Sequence, residues 1–161
     1  MNNTKLIGDT IFTTIDQLSA KEQSGFEVTH LSANAILSQT KMEFKQLDLI
    51  TPNSNIKDYY AMEFQGFGSF KDYVHQVRMI GDFTKSKVSI KDINYFAHAL
   101  DKIEHNTVTL TGTVSGTVDN LKGRNILMDL GRRSRFEGDF DIKGLPDFKE
   151  TFIVFEMNRL T

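Results

Sequence analysis

Strict alternation from Thr107 to Val118 constrains this chain more than any other feature. Val108, Leu110, Gly112, Val114, Gly116 and Val118 fall on one face, and Thr107, Thr109, Thr111, Thr113, Ser115 and Thr117 on the other. A period of two sustained over this length specifies a strand with one dry side and one wet side, about 40 Å long at about 3.3 Å per residue. Thirteen Phe, no Trp and only two Pro agree with strands, because aromatic and β-branched side chains fit a half-buried pleated surface.

The pattern continues to the C-terminus. Asp119-Asn120 is turn chemistry, since both residues tolerate positive φ, and alternation resumes with Ile126, Met128 and Leu130. Gly131-Arg132-Arg133-Ser134 makes the next turn. Phe136, Gly138, Phe140 and Ile142 then oppose Glu137, Asp139, Asp141 and Lys143, and Gly144-Leu145-Pro146-Asp147 reverses the chain into Ile153, Phe155 and Met157. This half therefore predicts an antiparallel meander of four strands.

The N-terminal half repeats the theme less regularly: Ile11/Thr13/Ile15, Phe26/Val28, Met42/Phe44, Tyr60/Met62/Phe64/Gly66 and Val77/Met79/Gly81/Phe83. Leu47/Leu49 follow Phe44 out of phase, which predicts a bulge near Lys45-Gln46. Between the halves, Ile93, Phe96, Ala97, Leu100 and Ile103 fall on one helical stripe that Asp92 can cap, and Phe70 to Val74 can form a further helical turn. The expected fold is mainly β: a strongly curved, groove-like antiparallel meander with one or two short helices, forming a single β-rich segment over residues 1–161. Gly-Asp-Phe recurs at Gly81 and Gly138 without a fixed period, as in a loosely repetitive β array.

Several function classes are disfavoured. A net charge of −2 gives no global field for nucleic acid. The absence of Cys removes disulfides, thiolate zinc and a cysteine nucleophile. No stretch approaches the roughly 18 apolar residues of a membrane span, and the opening residues lack signal-peptide regions, so any targeting element is expected outside the chain. P-loop, dinucleotide and nucleophile-elbow motifs are absent from the sequence. His98 and His105 flank Asp101 and Glu104 at a spacing that suits a solvated helix better than a metal site. Asp139 and Asp141 share a strand face, as general acid/base chemistry would use, but read better as a charged outer face; Arg132, Arg133 and Arg135 suit either contact with phosphate or a lipid head group or a charged hairpin tip. The sequence thus predicts no enzyme, no catalytic residue, no metal and no cofactor.

Glycines on the dry face (Gly66, Gly112, Gly116, Gly138) mark a bend, a close approach or a cleft. Two readings stand side by side: they leave room for a ligand or the helix, or neighbouring Phe rings fill the space. The order of motifs adds a family likeness. Ser89-Ile-Lys-Asp-Ile-Asn-Tyr-Phe96, Leu110-Thr-Gly-Thr-Val-Ser-Gly-Thr-Val-Asp-Asn-Leu-Lys-Gly123 and Phe136-Glu-Gly-Asp-Phe-Asp-Ile-Lys-Gly-Leu-Pro-Asp147 resemble the AsmA/TamB-like family of Gram-negative envelope proteins. Leu31-Ser-Ala-Asn-Ala-Ile and Leu49-Ile-Thr-Pro-Asn-Ser-Asn-Ile fit the same arrangement.

That resemblance implies a periplasmic segment of a longer protein anchored in the inner membrane, with phospholipid acyl chains, adjacent segments of the longer chain and outer-membrane assembly proteins as partners. It implies an apolar groove serving phospholipid transport or outer-membrane biogenesis. Groove residues are expected at Met62, Phe64, Val108, Leu110, Val114, Ile126, Met128, Phe136, Phe140, Ile142, Ile153 and Phe155. The alternative is a structural or interaction β module whose apolar face is filled by its own side chains and whose edges dock neighbours.

Overall fold

A computed structural model describes residues 3–94, 107–131 and 134–160. Ten strands form one open, curled antiparallel sheet in strict chain order. They are β1 (Thr4–Ile7), β2 (Thr10–Lys21), β3 (Glu27–Leu37), β4 (Lys41–Ile50), β5 (Asn55–Glu63), β6 (Arg78–Ser89), β7 (Thr107–Thr117), β8 (Asn120–Asp129), β9 (Arg135–Lys143) and β10 (Phe152–Leu160). The mainly β, curved meander expected from alternation is the observed fold. β7 runs unbroken through the segment with the clearest period of two.

Register turns alternation into continuous rows on the inner face. One row crosses all ten strands through Leu6, Ile11, Leu37, Met42, Met62, Met79, Gly116, Leu121, Ile142 and Ile153. The next crosses them through Thr4, Thr13, Ala35, Phe44, Tyr60, Gly81, Val114, Gly123, Phe140 and Phe155. Cross-strand neighbours on one face are the unit of sheet stabilisation, so these rows tie the whole meander together.

Beyond the second row, β4, β6 and β8 each shift register, at Gln46 (φ 50°), Lys85 (φ 46°) and Asn125 (φ 52°). Each inserts an extra residue, so inward-facing positions on either side of it keep the same face although they are three apart in sequence: Phe44 and Leu47, Gly123 and Ile126. Bulges bend a strand and raise its twist, and repeating them on alternate strands curls the sheet. The phase change expected near Lys45-Gln46 is the first of the series. Left-handed backbone disfavours a side chain with a Cβ, so exposed Lys85→Gly is expected to raise stability by up to about 1 kcal/mol in urea denaturation. Lys85→Ala should give no such gain. A loss on Lys85→Gly would mean that the Lys85 side chain itself supports the bulge.

The core lies inside β7–β9. Ile126, Phe136 and Phe140 are buried together, and Leu110, Val114, Leu121, Met128 and Ile142 pack around them. Phe140 lies flat over Gly123, where an added Cβ would stand 2.3 Å from the ring. A Phe ring thus occupies the space left by Gly123, but not at the glycines singled out in the sequence: Gly112, Gly116 and Gly138 closely approach the backbone carbonyls of Asn125, Asn120 and Glu156, and nothing lies within 4 Å of a Cβ added at Gly66.

Two helical pieces lie in the connections on either side of β6. The β5–β6 connection carries a 3-10 segment (Phe67–Asp72) followed by α1 (Tyr73–Gln76), covering the turn foreseen at Phe70 to Val74. α2 spans Ile90–Asn94; the rest of the stripe, Phe96, Ala97, Leu100 and Ile103, lies outside the described residues. Asp92 is not its cap. Ser89 precedes the helix and accepts the Lys91 N–H on Oγ at 3.2 Å, which is the N-cap bond, while the Asp92 carboxylate is used elsewhere.

Candidate apolar cavity

Between β3–β6 and α2 the inner face leaves a cavity of about 390 Å³ lined by Phe26, Val28, Leu47, Leu49, Thr51, Ser54, Ile56, Tyr60, Phe83, Val88 and Asp92. This falls within the range of roughly 300–1,000 Å³ typical of small-molecule sites. The bulges make its walls: Leu47 and Leu49 face inward only because Gln46 resets the phase of β4, and Val88 does so beyond Lys85 on β6.

One end is aromatic. Tyr60 and Tyr73 hydroxyls lie 3.0 Å apart, and the Tyr60 phenol is pushed well above its ordinary range, first by burial and then by Tyr73. Phe70 stands 6.1 Å from the Tyr73 ring and packs edge-on to Phe64, with centroids 4.8 Å apart. Residues 64–77 thus form a plug beside the cavity. On its surface, hydrogen bonding between His75 and Asp72 raises the imidazole pKa and lowers that of the carboxyl.

The other end is polar. Asp92 Oδ2 accepts hydrogen bonds from the hydroxyls of Thr51 and Ser54, both at 2.5 Å, and Oδ1 accepts a longer one from Asn53 Nδ2 at 3.4 Å. Ser54 Oγ in turn accepts the Ser89 N–H at 2.9 Å, and Thr51 Oγ1 accepts the Ser54 N–H at 2.8 Å. These bonds fasten the β4–β5 turn to the start of α2. Comparison of the chain with family models, curated proteins and solved structures gives no match. The site therefore rests on its own geometry.

The twelve residues expected to form a groove occupy one face but have different surroundings. Leu110, Val114, Ile126, Met128, Phe136, Phe140 and Ile142 fill one another's space in the core. Phe64 belongs to the aromatic plug, Met62 Sδ accepts a hydrogen bond from the Tyr73 hydroxyl at 3.6 Å, and Val108 pairs with Val88. Ile153 and Phe155 continue the inner rows but lie half exposed on the edge strand, with the Phe155 ring edge-on to Phe136 at 5.6 Å. None of the twelve lines the cavity. Its strand residues do alternate in sequence, and Phe26, Val28, Leu47, Leu49, Tyr60 and Phe83 belong to that pattern. The polar end has a weaker signal, the turn Thr51-Pro52-Asn53-Ser54 followed much later by Ser89-x-x-Asp92.

Other candidate chemistry falls elsewhere. Arg124 Nη1 donates to Asp141 at 2.6 Å and Nε lies 3.9 Å from Asp139, so the guanidinium holds the Asp141 carboxyl below its usual range. This is an outer-face ion network, joined by the Asn125 N–H on Asp139 at 2.8 Å. His98, Asp101, Glu104 and His105, and the arginines at 132 and 133, lie outside the described residues. Among the described residues no group of three or more His, Asp and Glu side chains could hold a metal, and no helix is long and apolar enough to cross a membrane.

Proposed function

We propose that the chain is a periplasmic segment of an AsmA/TamB-like envelope protein and offers phospholipid acyl chains an apolar site during lipid transport or outer-membrane biogenesis. The observation that carries this reading is the cavity, walled by aliphatic and aromatic side chains from four strands and polar at one end only. An acyl chain gains about 0.8 kcal/mol for each methylene it removes from water, so a few buried methylenes suffice for a useful affinity. In this reading the longer protein supplies the anchor in the inner membrane, neighbouring segments and outer-membrane assembly proteins are its partners, and no catalytic step is assigned to the chain.

A second reading has its own support. The interior of β7–β9 is occupied by its own side chains, which suits a structural or interaction module. The two readings divide the sheet between a cavity half and a filled half, and site-specific photocrosslinking separates them. A photoreactive residue replacing Leu49 or Ile56 is expected to capture phospholipid in cell envelopes, whereas one replacing Ile126 should capture none. Adducts absent at both cavity positions, with the variants folded, would leave the structural module alone.

A further inference from the structure

Asp92 is 8 % exposed and lies at the end of an otherwise apolar cavity. Its hydrogen-bond donors are all neutral: two hydroxyls on Oδ2 and one long amide contact on Oδ1. Among the described residues it makes no ion pair with Lys, Arg or His. A buried carboxylate without a counter-charge is costly, and a cation that reaches it recovers much of the lost solvation through a charge-assisted hydrogen bond.

We infer that the cavity selects an aminophospholipid, with Asp92 Oδ1 receiving the protonated primary amine of the head group while the acyl chain lies along Leu47, Leu49, Ile56 and Val88. The inference rests on the acyl-chain reading above and adds head-group selection to it. Oδ1 is the atom with acceptor capacity left, since Oδ2 already takes two short bonds. An anionic head without an amine meets repulsion from Asp92 and offers it only neutral hydroxyl donors, with no positive charge to offset the carboxylate. A trimethylated amine carries the charge but has no N–H to donate, so it satisfies only part of the site.

The test uses the 161-residue chain and three lysophospholipids of equal short chain length, kept below their micelle thresholds and titrated calorimetrically. Lysophosphatidylethanolamine is expected to bind about tenfold more tightly than lysophosphatidylcholine or lysophosphatidylglycerol. Asp92→Asn, with folding checked by its melting transition, should shrink that preference to within about threefold while leaving lysophosphatidylcholine binding in place. If the variant does not fold, the wild-type comparison of the three heads decides alone. Equal binding of all three, or an ethanolamine preference that survives in folded Asp92→Asn, overturns head-group selection and leaves the acyl-chain site intact. Binding of none of them overturns both readings.

Discussion

Phe140→Asp is expected to abolish the cooperative thermal transition, whereas Phe155→Asp should melt close to the parent chain. Both rings lie on the same inner row, directly paired across β9 and β10. They differ in surroundings: Phe140 is 8 % exposed, lies over Gly123 and packs with Ile126 and Phe136, while Phe155 is 53 % exposed on the edge strand. Removing a buried Phe ring costs about 3–5 kcal/mol, and burying an unpaired carboxylate adds several more. Together these terms consume most of the roughly 5–15 kcal/mol that stabilises a typical domain. At Phe155 the new charge stays in water and the main loss is the edge-on contact with Phe136, about 1 kcal/mol. Circular dichroism melting of both variants checks this. A Phe140→Asp variant that melts like the parent would mean that the interior of β7–β9 admits water, and would restore its residues as groove candidates.

How much was legible in the sequence depended on whether a strand keeps one phase. β7 has no bulge, so Thr107 to Thr117 alternates without interruption and both its type and its inner face could be read directly. β3 pairs with β2 through two register shifts and with β4 through one, and the strand that joins Val28 to Leu37 shows no single period. Alternation also assigns a face without saying what lies on it. Whether Phe140 fills the space over Gly123 or borders a groove depends on cross-strand register, which a period of two does not encode. The polar end was less legible still, because Thr51, Ser54 and Asp92 meet only after the chain has made two further strands, and Asp92 read locally has the chemistry of a helix cap.

Gly112→Val is expected to cost about 3–5 kcal/mol, near the upper range for a single substitution that adds rather than removes atoms. Gly112 has φ 130°, outside the comfortable range of an L side chain, and sits on β7 opposite the bulge at Asn125. An added Cβ would stand 2.6 Å from the Asn125 carbonyl oxygen and 2.9 Å from Ile126 Cδ1. The first neighbour is bulge backbone, whose N–H is tied to the Asp139 carboxylate, so it yields less readily than the tip of a side chain, and the second is the centre of the core. Left-handed strain contributes about 1–3 kcal/mol and overpacking about as much again. Gly68→Ala is the control, because nothing lies within 4 Å of a Cβ added there, and its cost should stay within about 0.5 kcal/mol. Urea denaturation of the two variants measures the difference, and amide shifts at Asn125 and Ile126 report whether the bulge is the part that yields. A loss below about 1 kcal/mol at Gly112 would mean that the glycine faces usable space. The inner row at that point would then be a cleft, and the acyl-chain site would extend from the cavity into the β7–β8 half of the sheet.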